Sequence, residues 1–328
     1  MNRNASIFIA GCENFIGKAI RRRLLHEGFD KCSDDMSSQV NLRENSSVEK
    51  YFREQNPEYI FLVAGKSGGI QANSRSPADL MRDNILVQTN ILHNANRYRA
   101  KKLLFLASSC SYPGACPQPM KIDDLMSGPL EPSNEAYAMA KLAGVTMVRA
   151  YRQQYGVHFI SGIPGNIFGP DDDFEPESAH VIPCLMIKMH EAKKRQEPSL
   201  EVWGTGDPLR QFIFVDDVAS ACIYVMEHYD DDAPINLGGA VCVSIRDLAL
   251  QVKDIVGFGG ELVFNTAKPD GMPMKALDSG PLLDLGWSPM TSLSDGLLRT
   301  YTWFQDSLRQ HPVDKKWKQA LVHSIMEE

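Results

Sequence analysis

The sequence predicts an α/β protein built on a doubly wound parallel sheet, with a smaller C-terminal lobe. Three observations carry this expectation. Short apolar runs alternate with helical patterns through the first half, a glycine-marked turn follows the first run, and prolines interrupt the alternation after residue 165.

In order, residues 6–10 read as a buried first strand, and residues 16–27 as a helix with Ile16, Ile20, Leu24 and Leu25 on one face. A second strand is expected between residues 29 and 40, a polar stretch that marks it poorly. Residues 59–64 and 102–107 are strands, and residues 83–99 between them repeat apolar side chains at helical spacing. A long helix over 136–155 leads into a strand at 158–163. Prolines at 164, 170, 176, 183 and 198 then break the pattern, as insertions forming a smaller lobe would. Strands at 211–215 and 235–237 flank a helix at 216–227, whose acidic residues sit in the favourable first turn.

Composition narrows the class. The 328 residues are 43% hydrophobic and 23% charged, enough for a two-lobed enzyme with a substantial core and unlike a disordered chain. A formal net charge of −7 gives no footprint for nucleic acid. The runs Arg21-Arg22-Arg23 and Lys193-Lys194-Arg195 read as solvated helix faces. Seven scattered cysteines form no CxxC pair and no His/Cys cluster at zinc spacing, so no metal site is expected and the thiols read as reduced. No stretch reaches transmembrane length and no signal-type apolar segment precedes the first strand, so the expectation is a cytoplasmic protein with no membrane partner.

The first strand ends in AGCENFIG (10–17) and enters a helix. Gly11 and Gly17 suit a tight turn and close helix–strand packing, with the helix N-terminus facing a pyrophosphate, as in a Rossmann-type fold. The usual middle glycine is replaced by Asn14, which tolerates left-handed backbone; Phe15 and Ile16 complete the candidate cofactor turn. Two glycines also suit an ordinary βα turn. The expected division is a dinucleotide-binding domain over 1–165, with 211–240 returning to it, and a substrate-binding lobe from 166–210 and 241–320. For the cofactor, Glu13 and the pair Asp34–Asp35 favour the free ribose hydroxyl of NADH, although the aspartates also suit a simple loop.

Tyr137 and Lys141 are four apart on a predicted helix and therefore share a face; Ser108 and Ser109 follow the strand LLFLA. An ammonium beside a phenol stabilises the phenolate, so the tyrosine can give a proton to an oxygen while a neighbouring serine hydroxyl holds it. A tyrosine and lysine at this spacing also occur on ordinary exposed helices. Here the serine pair ends a strand and the tyrosine opens the next helix, which favours a catalytic set.

Four segments, LLFLASSCSYP (103–113), LEPSNEAYAMAKLAG (130–144), GNIFGPDDDFEPESAHVIP (165–183) and WGTGDPLRQFIFVDD (203–217), carry a resemblance to the extended short-chain dehydrogenase/reductase family. Within it, the chain looks like the bifunctional enzymes that epimerise C3 and C5 and reduce C4 of GDP-4-keto-6-deoxy-D-mannose, giving GDP-L-fucose. The resemblance runs over nearly the whole chain. It implies NADPH, a GDP-linked 4-keto-6-deoxy sugar, and a homodimer paired through the helices near 85–99 and 136–153. Ser108, Tyr137 and Lys141 match the reductase residues, and Cys110 and His180 the acid/base pair of epimerisation. Asn166, Lys188, Trp203, Arg210 and Asp278 match positions around the sugar nucleotide. Alternative readings for these are an inert buried thiol (Cys110), a loop histidine (His180), a packing tryptophan (Trp203) and a turn residue (Asp278). Lys188 stands where the family carries arginine, and the two are not interchangeable at a bidentate phosphate site. Other activities compatible with these motifs are a neighbouring GDP-4-keto-deoxysugar reaction, such as GDP-L-colitose formation, and a non-catalytic NAD(P)-sensing protein on the same fold.

Overall fold

The computed structural model describes residues 1–32, 39–66, 73, 75–175, 179–239, 241–268 and 270–310. The chain opens with β1 (Ile7–Ala10), α1 (Phe15–His26), α2 (Asn45–Gln55), β2 (Tyr59–Leu62), α3 (Pro77–Arg97), β3 (Lys102–Leu106), α4 (Glu135–Tyr155) and β4 (Phe159–Pro164). It continues with β5 (Asn166–Phe168), α5 (Val181–Arg195), β6 (Ser199–Trp203), β7 (Leu209–Phe214), α6 (Val215–His228) and β8 (Ile235–Leu237). Then come β9 (Cys242–Ser244), α7 (Ile245–Val256), β10 (Glu261–Asn265), β11 (Met274–Lys275), α8 (Gly280–Asp284) and α9 (Leu293–Gln310).

The principal sheet is parallel, in the order β1-β2-β3-β4-β8. On the far side of β1, Cys32 makes an isolated parallel bridge to Ile7. That bridge marks where the expected second strand begins; residues 33–38, including Asp34 and Asp35, lie outside the described residues. Strand order therefore reverses at β1, the position where doubly wound sheets open a crevice at their carboxyl ends.

Alternation along each strand explains why both faces carry helices. Ile7 and Ile9 join Ile20 and Leu24 of α1 and Val218, Ala219 and Cys222 of α6 in one buried core. Phe8 and Ala10 join Phe52 of α2, Val87 and Ile91 of α3 and Val145 and Val148 of α4 in the other. Gly144 lets α4 lie flat on this face, because a Cβ there would sit 2.3 Å from the Phe105 ring and 2.7 Å from Gln88 Oε1.

The smaller lobe contains the sheet β11-β7-β5, with β9 antiparallel to β7, and the parallel pair β10–β6. Here one expectation is corrected: residues 211–214 do not return to the large sheet, because β7 pairs with β5 and β11 instead. The return starts at α6 and is completed by β8. Side chains of β7 alternate between lobes, Ile213 entering the large core and Phe212 and Phe214 the small one. Helices α2, α5, α7 and α9 go beyond the elements expected from sequence. Pro183 does not interrupt the chain; it is the third residue of α5, where a missing N–H costs nothing.

Candidate active site

A cleft of about 700 Å³ opens between the lobes at the carboxyl ends of β1, β3 and β4. The glycine turn forms its floor. Gly11 has φ +103°, and a Cβ there would come within 2.7 Å of the Ala64 backbone; one on Gly17 would lie 2.1 Å from the Gly11 carbonyl oxygen. Asn14 is not left-handed, in contrast to the expectation from its residue type: its φ is −77° and it serves as the N-cap of α1. Its side-chain oxygen accepts the Gly17 N–H at 2.7 Å, while its amide donates to the Val63 carbonyl at 2.9 Å. This ties the helix start to the strand beside it and supplies the cap that a glycine could not. Glu13, Asn14, Phe15 and Ile16 all line the cleft, with the α1 N-terminus behind them.

On the next strands, Ser108 follows β3 and caps a short 3₁₀ turn, its hydroxyl accepting the Cys110 N–H at 3.2 Å. Tyr137 and Lys141, on the first turns of α4, are 8% and 5% exposed. The Tyr137 phenol is hydrogen-bonded to Ser108. Burial, with a smaller contribution from Cys110, pushes that phenol well above its ordinary range, and the Ser108 bond offsets only part of this. The Lys141 ammonium donates to the Leu106 carbonyl at 3.2 Å, and dehydration lowers it to about 8. A protonated phenol is the form from which a general acid must start.

Cys110 lies beside this set. Its Sγ is 3.5 Å from Asn134 Nδ2 and 3.5 Å from Lys275 Nζ. His180 is the N-cap residue of α5 and opens onto the same cleft. Desolvation lowers its proton affinity, Asp173 opposes that shift and Lys275 adds to it. Asp172 is buried in the cleft wall, with Oδ1 accepting the Asp173 N–H and Oδ2 unpartnered, and burial raises its carboxyl to about 7.

The smaller lobe closes the opposite wall. Asn166 donates to the Gln211 carbonyl at 2.9 Å, and Arg210 lines the cleft with Nη1 bonded only to its neighbour's carbonyl. Trp203 is 45% exposed, with two cations near its ring, Lys268 at 4.6 Å and Lys188 at 5.7 Å from the centroid. The loop after Trp203 is pinned by Asp270, which accepts from Thr205 N and Oγ1 at 2.7 and 2.9 Å. Asp278 is not brought to this cleft. Its Oδ1 accepts the Gly280 N–H at 3.0 Å at the start of α8, and it lines a separate hollow beyond β11, the turn role that was its alternative reading.

Sequence reasoning thus missed Asn134, Asp172, Lys268 and Lys275. Asn134 and Asp172 lay within motifs already singled out. Lys268 and Lys275 come from a segment with no periodic signal, and only the pairing of β11 with β7 places Lys275 here.

The turn, with backbone donors at a helix start, and the deeply buried Lys141, without a carboxylate partner among the described residues, suit a nicotinamide dinucleotide. Fold and site together define a nicotinamide-dependent enzyme of the extended short-chain type. The chain belongs to the NAD dependent epimerase/dehydratase family, whose profile matches residues 7–238. It is 46% identical to the putative GDP-L-fucose synthase 2 of Arabidopsis thaliana over 94% of each chain. It is 41% identical to the GDP-L-fucose synthase of Escherichia coli K12, over 92% of this chain and 97% of that one. Among solved structures, a GDP-6-OMe-4-keto-L-xylo-heptose reductase from C. jejuni superposes with a TM-score of 0.88 at 33% identity, covering 94% and 99% of the two chains. A Naegleria fowleri GDP-L-fucose synthetase bound to NADP gives 0.87 at 28% identity, covering 94% and 96%.

Proposed function

We propose that this enzyme converts GDP-4-keto-6-deoxy-D-mannose to GDP-L-fucose by inverting C3 and C5 and reducing C4. The observation that carries the proposal is one cleft holding both a Ser108–Tyr137–Lys141 set and the pair Cys110 and His180. The 4-ketone acidifies the hydrogens on C3 and C5, so a base and an acid at the ring can exchange them. Cys110 and His180 supply those groups; a thiol and an imidazole both transfer protons near neutral pH. When bound, the reduced nicotinamide supplies the hydride for C4. Tyr137 gives the proton to the C4 oxygen, Ser108 holds that oxygen, and Lys141 stabilises the phenolate left behind. Solvent then returns the Tyr137 proton. The larger lobe holds the nicotinamide dinucleotide. The smaller lobe holds the GDP moiety through Trp203, Lys188, Arg210 and Asn166, Arg210 as partner of the diphosphate. A homodimer through α3 and α4 belongs to the same reading, supported by the exposed Leu86 and Met139 on those helices.

The test is incubation with GDP-4-keto-6-deoxymannose and NADPH or NADH in deuterated water, read by NMR of the product. GDP-L-fucose carrying deuterium at C3 and C5 is expected. Cys110→Ser and His180→Gln should each slow that incorporation while leaving cofactor binding intact. Unchanged incorporation in both variants would overturn the acid/base assignment. A product with only C5 inverted would move the activity to GDP-L-colitose-type chemistry.

A further inference from the structure

We propose that Lys275 is the positioning residue for Cys110, the fixed cation that sustains its thiolate and so makes it the base of the epimerisation. This rests on the function proposed above. The geometry stands by itself: Lys275 Nζ is 3.5 Å from Cys110 Sγ, and Asn134 Nδ2 approaches the same sulfur at 3.5 Å. Two donors converge on one sulfur atom, one of them an ammonium.

The backbone explains why the lysine stays there. Lys275 ends β11, in parallel register with Arg210 of β7, so the two cations stand on the same face of the small sheet and both line the cleft. The residue after it is clamped from both sides. Ala276 N–H donates to Gln118 Oε1 at 2.9 Å, and the Ala276 carbonyl accepts the Met120 N–H at 2.8 Å. Asp278 N–H returns to the Met120 carbonyl at 2.9 Å. Residues 118–120 lie a few positions beyond Cys110, so one short ladder fixes cation and thiol relative to each other.

Nothing else discharges the ammonium. No carboxylate of a described residue pairs with Lys275, and its one side-chain contact among them is the Cys110 sulfur. The remaining groups near Cys110 offer its sulfur no second cation among the described residues. From α4 come the buried neutral phenol of Tyr137 and the ammonium of Lys141, which is committed to Leu106. From the start of α5 comes His180, whose proton affinity Lys275 itself reduces. Ser108 contributes only an acceptor to the Cys110 backbone. Among the described residues, Lys275 is thus the one cation in hydrogen-bonding contact with the sulfur.

The step balances as a proton transfer. The sulfur takes the hydrogen from the carbon next to the ketone; the C–H bond breaks, an S–H bond forms, and the electron pair passes to the ketone as an enolate. Lys275 compensates the sulfur's charge before the step, and His180 can return a proton from the other side.

The experiment reads Cys110 directly and needs no substrate. Alkylation by iodoacetamide is followed across pH by mass spectrometry of the Cys110 peptide in wild type, Lys275→Met and Lys275→Arg. In K275M the Cys110 rate at neutral pH should fall about tenfold and its pH dependence move upward, whereas K275R should restore most of it. The buried Cys222 reports unfolding in the same digest. If K275M exposes it, Lys275→Gln carries the comparison. An unchanged Cys110 profile in a folded neutral variant overturns the proposal, even where the wild type makes GDP-L-fucose. A shifted profile in an enzyme that exchanges no solvent deuterium would sustain the Lys275–Cys110 pair and remove the epimerase reading instead.

Discussion

At the scale of single residues, the reductase set is a problem of dehydration. Tyr137 and Lys141 are both almost sealed from water, and each is held toward its neutral form, the phenol protonated and the ammonium weakened to about 8. The lysine must remain charged to stabilise the phenolate, so reduction should decline as pH rises through about 8, where the ammonium gives up its proton. Steady-state consumption of reduced nicotinamide across pH checks this. Tyr137→Phe keeps the ring and removes the acid. Reduction should drop by about 10²–10⁴-fold, the usual worth of a positioned general acid, while deuterium exchange at C3 and C5 continues. Loss of both activities together would place Tyr137 in binding rather than in proton delivery. The candidates Ser108, Tyr137 and Lys141 were legible because helical spacing and the end of a strand locate them without tertiary information. Lys275 and Lys268 were not, since an isolated lysine carries no periodicity, and the place of Lys275 depends on a two-residue strand pairing formed only in the fold. Asp278 was misplaced for the converse reason: a motif supplies an identity, but its carboxylate had a local use in capping the Gly280 N–H.

At the scale of elements, the parallel sheet was readable because its strands are short apolar runs separated by strongly patterned helices. Its second strand was not, because Cys32 is the only described residue there that bridges β1 and the stretch is polar. Helix α7 shows the limit of pattern reading after a run of prolines. Leu248, Ala249, Val252 and Val256 are buried at regular helical spacing, yet nothing nearby announces which core they join. Packing of α4 onto β3 and α3 gives an element-scale prediction. Gly144→Ala adds one methyl 2.3 Å from the Phe105 ring and 2.7 Å from Gln88 Oε1, so helix and strand must separate. The expected cost is about 1–3 kcal/mol, the range for overpacking a filled core, seen as a lower melting temperature. Because α4 carries Tyr137 and Lys141, activity should fall further than stability alone accounts for. A variant as stable as wild type would show that α4 can ride outward without strain.

At the scale of the whole molecule, the two lobes are joined by a strand that serves both. Ile213 is packed in the large core and Phe212 and Phe214 in the small one, and the next residue, Val215, opens a helix packed back against α1. Neither core can lose β7 without opening the other, so the chain should unfold in a single transition despite its two lobes. The cleft lies across the same junction, with Asn14 and Tyr137 on one wall and Trp203 and Arg210 on the other. A ligand that binds only the folded form stabilises it by about 2.7 kcal/mol at a hundredfold excess over its dissociation constant. NADPH or NADH bound to one wall and GDP bound to the other should therefore each move that one transition upward, and together move it further. Differential scanning calorimetry with each ligand separately and with both is the measurement. Comparing the two nicotinamides in that experiment also tests Glu13, a carboxylate on the cofactor side of the cleft. Removing its charge in Glu13→Gln should raise the shift given by NADPH relative to NADH, because a negative side chain near the adenosine ribose repels a 2′-phosphate and accepts a hydrogen bond from a free hydroxyl. Two separate transitions, with GDP moving only one, would mean that the lobes are energetically independent and that β7 does not couple them.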